Sequence, residues 1–229
     1  EEGGRGDYHS ADLSWGELVR FYMPLATTSL AGRLVPPILS GVIARAPDPA
    51  INLAAWPIAT GLVQLFGVST QMLSQLVIPV ATHPTHRRTA MRFAHLVGLT
   101  LTALLLLMLS TPAGSLYFTG LIAAPMPVAA MAVVAARSLV MVPLLQSSQN
   151  ALHGLYSGSR RTVEMLIATL INVAVTVAVS FLMVAVVAWP GTLVAAAGMI
   201  AGLAAEVAYL WIFRPAAARP GDDSRKEAP

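Results

Sequence analysis

The sequence predicts an all-α integral membrane protein, a bundle of six transmembrane helices, on three observations. Apolar residues fill 56% of the 229 positions and charged residues only 11%, with a mean hydropathy of +0.69. Soluble domains carry about 25% charged residues. The apolar residues are also gathered into six runs, each near the roughly 20 residues that cross a bilayer core of about 30 Å. Turn residues and most of the basic residues fall between the runs.

Each element follows from its own residues. The polar lead-in 1–18, "EEGGRGDYHSADLSWGEL", reads as a linker or cytosolic approach, and the chain as a piece of a longer protein. The first span, 21–44, holds Arg33 with Pro36 and Pro37 just beyond it. Each proline removes a backbone bond, and its ring meets the carbonyl four residues back, which is Gly32 or Arg33. A kink or local unwinding at Arg33 is expected. Irregular backbone at membrane depth is tolerated only inside protein or beside a cavity.

The second span, 51–80, is long enough to tilt or bend, and Gln64, Gln71 and Gln75 recur at spacings of seven and four. They share one helix face. Such a stripe either lines a pathway or bonds one helix to another. The third span is 91–111, with "LVGLTLTALLLLMLS". The fourth, 124–150, carries Arg137, a kink at Pro143, and a polar patch of Gln146, Gln149 and Asn150. The fifth, 163–188, has the isolated polar residue Asn172, read as helix-to-helix glue. In the sixth, 192–213, Gly198, Gly202 and Glu206 recur every four residues, so Glu206 points into a close helix interface. The tail 214–229 is polar and cytoplasmic. Breaks are expected at "APDPA", "THPTHRR", "STPAGS", "HGLYSGSRR" and "WPG", which puts His153 in a loop.

Loop charge sets the orientation. Arg5 and Arg20, then Arg87, Arg88 and Arg92, Arg160 and Arg161, and Arg214, Arg219, Arg225 and Lys226 fall on one side. These are 11 of the 14 basic residues, and Arg45 alone lies in a loop of the other side. The positive-inside rule places both termini in the cytoplasm of a multi-pass cell-membrane protein. A bias of 13 arginines to one lysine points to a GC-rich bacterial genome, and so to a bacterial inner membrane.

Three charges remain at membrane depth: Arg33, Arg137 and Glu206. Each costs roughly 2.5–3.5 kcal/mol if it faces lipid. They are therefore expected to face a cavity or one another, either on the pathway of a polar or anionic solute or as a structural pair. Two cations and one anion leave positive charge over, which favours an anion.

Other chemistry is excluded. The basic residues form no continuous face for nucleic acid. His83 and His86 lack the carboxylates or cysteines of a metal site. There is no cysteine, no phosphate loop and no nucleophile–base order, so an enzyme is not expected.

Three segments carry a resemblance. "RFYMPLATTSLAGRLVPPILSGVIARAPDP" resembles the seventh-helix entry of the progressive-ankylosis family, through Pro24-Leu25, Arg33, Pro37 and Arg45. That family lies within the multidrug/oligosaccharidyl-lipid/polysaccharide superfamily. "ARSLVMVPLLQSSQNALHGLYSGSRRT" is similar to a later helix of it, through Arg137, Pro143, His153-Gly154 and Arg161-Thr162. "GTLVAAAGMIAGLAAEVAYL" looks like its last helix, through Ala201-Gly202 and Glu206.

The resemblance implies a twelve-helix alternating-access transporter of two six-helix lobes, with this chain the C-terminal one. The second lobe would come from the same polypeptide or from a homodimer. Animal members export pyrophosphate, citrate or nucleotide, which implies an anionic solute; many bacterial relatives are extrusion-type proteins. The readings carried forward are three. The first is a secondary-transporter lobe with no cofactor and H+ or Na+ as coupling ion, with Arg33, Arg137, Glu206, Gln64, Gln71, Gln75 and Gln146 on its pathway. The second is a multidrug-efflux or lipid-flippase lobe. The third is a membrane scaffold subunit that transports nothing.

Overall fold

The computed structural model describes residues 15–80, 84–159 and 161–213, and among them there are helices and no strand. Most of the lead-in and the whole tail lie outside these residues. The elements in order are α1 (Trp15–Ile43), α2 (Pro49–Gly67), a 3-10 turn (Val68–Gln71), α3 (Met72–Val77) and a second 3-10 turn (Ile78–Val80). Then come α4 (Pro84–Ser110), α5 (Pro112–Leu116), a π-helical turn (Tyr117–Leu121), α6 (Met126–Ser138), α7 (Val142–Gly158), α8 (Thr162–Val186) and α9 (Gly191–Ile212).

Four of the described helices are long and apolar enough to cross a membrane: Pro49–Val77, His86–Ser110, Thr162–Val186 and Gly191–Ile212. The pair Met126–Ser138 and Val142–Gly158 passes the same test as one span bent by 47°. At 29 residues α1 has the length, but Arg33, Pro36 and Pro37 dilute its apolar character, and it is not one of the four. The molecule is an all-α membrane bundle.

Three departures from the sequence reading have plain causes. Helix α1 is uninterrupted through Arg33, Pro36 and Pro37, so the backbone does not unwind at the arginine. Helix α4 begins at Pro84, in the first turn where a missing N–H costs nothing, and so Arg87, Arg88 and Arg92 ride on a helix rather than in a loop. Helix α7 continues through "HGLYSG", which makes His153 a helical residue.

Packing is closest between α8 and α9, with α1 laid against both, α4 and α3 against α7, and α2 against α6. Asn52 pins one end of the bundle. Its amide donates to the carbonyls of Pro47 and Asp48 at 3.0 and 2.9 Å, and its oxygen accepts the N–H and hydroxyl of Thr192 at 3.1 and 3.0 Å.

The apolar interior is divided in two. One cluster gathers Trp56, Leu62 and Val63 of α2, Leu105 and Leu109 of α4, the alanines of α6, and Leu203 of α9. The other gathers Leu73 and Val77 of α3, Met91 and Ala94 of α4, Leu152, Leu155 and Tyr156 of α7, and Leu210 of α9. Several helices pass from one cluster to the other, and they carry polar residues on the way. On α9 Glu206 lies between Leu203 and Leu210; on α7 Gln146 to Asn150 lie between Val142 and Ala151.

Candidate functional site

The site begins where α6 stops. Leu139 to Met141 form a turn in which the N–H of Val142 bonds the carbonyl of Leu139 at 2.9 Å. Pro143 follows in the first turn of α7, where its missing N–H has no helical partner to lose. So Pro143 opens a new helix, set at 47° to the one before.

One face of α7 then carries Gln146, Gln149 and Asn150. With Gln64 of α2, Thr70 and Gln71 of the 3-10 turn, and Ser74 of α3, they line a cleft of about 450 Å³. Every lining side chain is polar and neutral. Asn150 donates to the Thr70 hydroxyl at 3.0 Å, and that hydroxyl donates to the Gly67 carbonyl at 2.7 Å, which ties the cleft floor to both walls. Gly67 lets the Gln146 amide oxygen lie against the α2 backbone, where an added Cβ would push that side chain aside. A second hollow of about 280 Å³, among Ala46, Pro47 and residues 184–188, has no polar side chain in its lining.

Behind the α7 wall sits Glu206, fully buried on α9. Four side chains from two other helices reach its carboxylate. Gln149 and Asn172 each donate to Oε2 at 2.6 Å. Thr169 donates to Oε1 at 3.0 Å, and His153 Nε2 lies 2.9 Å from the same oxygen. The Thr176 hydroxyl donates to Asn172 Oδ1 at 3.1 Å, which fixes the Asn172 amide with its N–H toward the carboxylate. Gly198 and Gly202 make room for this seam. A Cβ at Gly202 would overlap the Thr176 hydroxyl, and one at Gly198 the Ser180 hydroxyl, which is buried with no hydrogen-bond partner among the described residues. Gln149 belongs to both features: it lines the cleft and holds Glu206.

The residues expected on the pathway therefore separate. Gln64, Gln71 and Gln146 meet in the cleft; Gln75 is exposed on α3 and absent from the lining, and Ser74 takes its place. Glu206 joins neither arginine. Among the described residues its ion-pair partner is His153, and the other ion pair is Arg161–Glu164. Arg137 donates from Nε and Nη2 to the Leu109 carbonyl at 3.2 and 2.9 Å, capping the last turn of α4. Arg33 is exposed on α1, on a stripe with Ser29, Pro36, Pro37 and Ser40.

Sequence reasoning missed His153 and Thr169 and set Asn172 aside as isolated. One signal was present. Thr169, Asn172, Thr176 and Ser180 fall three or four residues apart, one polar face on an otherwise apolar helix.

No protein-family model and no curated protein matches the chain. Among solved structures it is similar to a MOP superfamily transporter from Pyrococcus furiosus Vc1 (DSM3638), at a TM-score of 0.68 and 16% identity. The match covers 93% of this chain and 48% of that one, so the chain spans about half the length of that transporter. The chain shares its fold with about half of that transporter.

Proposed function

We propose that the chain is the C-terminal lobe of a progressive-ankylosis-type secondary transporter that carries a polar, anionic solute by alternating access. Both termini lie in the cytoplasm, and the second lobe comes from the same polypeptide or from a second copy. The observation that carries the reading is the cleft: seven neutral polar side chains around about 450 Å³, opened by a broken helix in an apolar bundle. Carriers built from repeated halves place their solute sites at such discontinuous helices.

Arg33 supports the anion. Its stripe on α1 is exposed on the isolated lobe, and a guanidinium facing lipid costs roughly 2.5–3.5 kcal/mol. The stripe therefore faces water or the second lobe. Among the described residues no carboxylate forms an ion pair with Arg33. The coupling ion is H+ or Na+.

The test is uptake of a panel of labelled anions into proteoliposomes holding the full-length protein, against an ionophore control. Arg33→Ala and Gln146→Ala abolish uptake while insertion is unchanged. Wild-type uptake of every anion at the protein-free rate, or unaltered uptake by both variants, refutes the proposal.

A further inference from the structure

We propose that His153 and Glu206 form a proton-operated latch that holds α7 against α8 and α9 and thereby sets the width of the cleft. The latch deepens the transport reading and rests on it for its purpose, but its movement is measured without any solute.

Three observations converge. First, the α-helical ladder of α6 gives way to a turn at Leu139–Met141 before α7 begins, and the two helices meet at 47°. Second, Gln149 and His153 stand one turn apart on α7, and both reach the same carboxylate. Third, Gln149 and its neighbours Gln146 and Asn150 are the α7 wall of the cleft. Whatever loosens α7 from Glu206 therefore moves that wall.

Of the side chains that reach Glu206 among the described residues, only His153 carries an ionisable group. Facing Glu206 from α7 are Gln149 and His153, and from α8 Thr169 and Asn172. Three of the four are neutral at every ordinary pH. Arg161 and Glu164, at the start of α8, pair with each other at 2.7 Å. Tyr156 donates its hydroxyl to the Leu210 carbonyl, and Tyr209 stacks on Phe213. Among the helices packed on α9, α1 carries the exposed Arg33 and α6 carries Arg137, which caps α4. On α4, which packs against α7, His95 bonds the Met91 carbonyl at 2.6 Å and its ring lies 6.0 Å from that of Trp211.

With a proton on His153 the latch is a compensated ion pair. When that proton leaves, the buried carboxylate keeps only neutral donors, and an uncompensated buried charge draws in water or moves its neighbours. The Thr176 bond holds the Asn172 amide with its N–H, not its oxygen, toward Glu206. This donor-rich shell suits an anion and a proton better than a metal cation.

The chain has no cysteine, so spin labels are placed by design. Nitroxides at Ser159→Cys and Ala208→Cys report the distance from the end of α7 to an exposed position on α9. The measurement uses the full-length protein in lipid nanodiscs at about pH 5 and about pH 8. The expected result is one short distance at the lower pH and a second, longer population at the higher. In His153→Gln the distribution no longer changes with pH.

Identical wild-type distributions at the two pH values overturn the latch. So does a pH shift that persists in His153→Gln, or a shift driven by sodium at constant pH. The wild-type comparison stands if His153→Gln does not insert. A pH shift in a protein that transports no anion refutes the transport reading and leaves the latch.

Discussion

Arg137 and Glu206 are both charged groups in apolar helices, and the structure treats them in opposite ways. Arg137 is exposed, and its long side chain spans the gap from α6 to the end of α4, where one backbone carbonyl receives two of its N–H groups. Glu206 has a short side chain and no exposure, so its partners have to come to it, and four of them do, from two helices. A long cation can seek a helix end or water. A short buried anion requires a shell built around it. The difference separates a charge that terminates a helix from one that organises the bundle.

The sharpest way to break that contrast is to remove the carboxylate. Glu206→Ala leaves His153, Gln149 and Asn172 aimed at a void, and removing one partner of a buried pair costs about 3–5 kcal/mol. Unfolding of the lipid-reconstituted protein followed by circular dichroism should show the largest loss of any single variant here. A loss below that of Arg137→Ala would show that the shell contributes nothing to the bundle.

Next is the close approach that brings the shell together. A Cβ at Gly202 falls on the Thr176 hydroxyl and 2.5 Å from Asn172 Oδ1; a Cβ at Gly154 meets the Ser74 backbone, with Cα at 2.9 Å. Gly202→Ala and Gly154→Ala should each destabilise by about 1–3 kcal/mol, as overpacking does. Gly61 has nothing within 4 Å of an added Cβ. Gly61→Ala in the same assay is therefore neutral or stabilising. Equal behaviour of the three would mean that the glycines serve backbone freedom and not contact.

Those glycines also explain what was legible in the sequence. Gly198, Gly202 and Glu206 recur every four residues, which already placed the carboxylate in a helix interface; the structure has it on the α8 seam. Gly154 misled, because a glycine beside His, Ser and a basic pair reads as a turn. Here it is helical, and small because α3 passes against it. That misreading moved His153 out of the helix and away from Glu206. Gln75 was lost to a change of winding. The 3-10 turn Val68–Gln71 advances each residue by about 120° rather than 100°, so a period counted for one α-helix does not hold across it. Charge alone left open whether Arg33 or Arg137 meets Glu206, for a simpler reason. Sequence gives the sign of a charge, while its partner depends on which helices touch.

The smallest expected effect is at Arg137, and it tests the other half of the contrast. Its two bonds go to one carbonyl, that of Leu109 in the last turn of α4, while Arg137 itself is exposed. Interactions of exposed charges are worth at most about 1 kcal/mol, so Arg137→Ala should shift the unfolding midpoint only slightly. The freed Leu109 carbonyl should then show in hydrogen exchange as faster opening of the last turn of α4, with the amides of α7 and α9 unchanged. If exchange rises instead around Glu206, Arg137 reaches the interior through α4, and the two charges belong to one network after all. If the variant is as destabilised as Glu206→Ala, the guanidinium is anchoring the α4–α6 contact. The helix-end description of Arg137 would then be wrong.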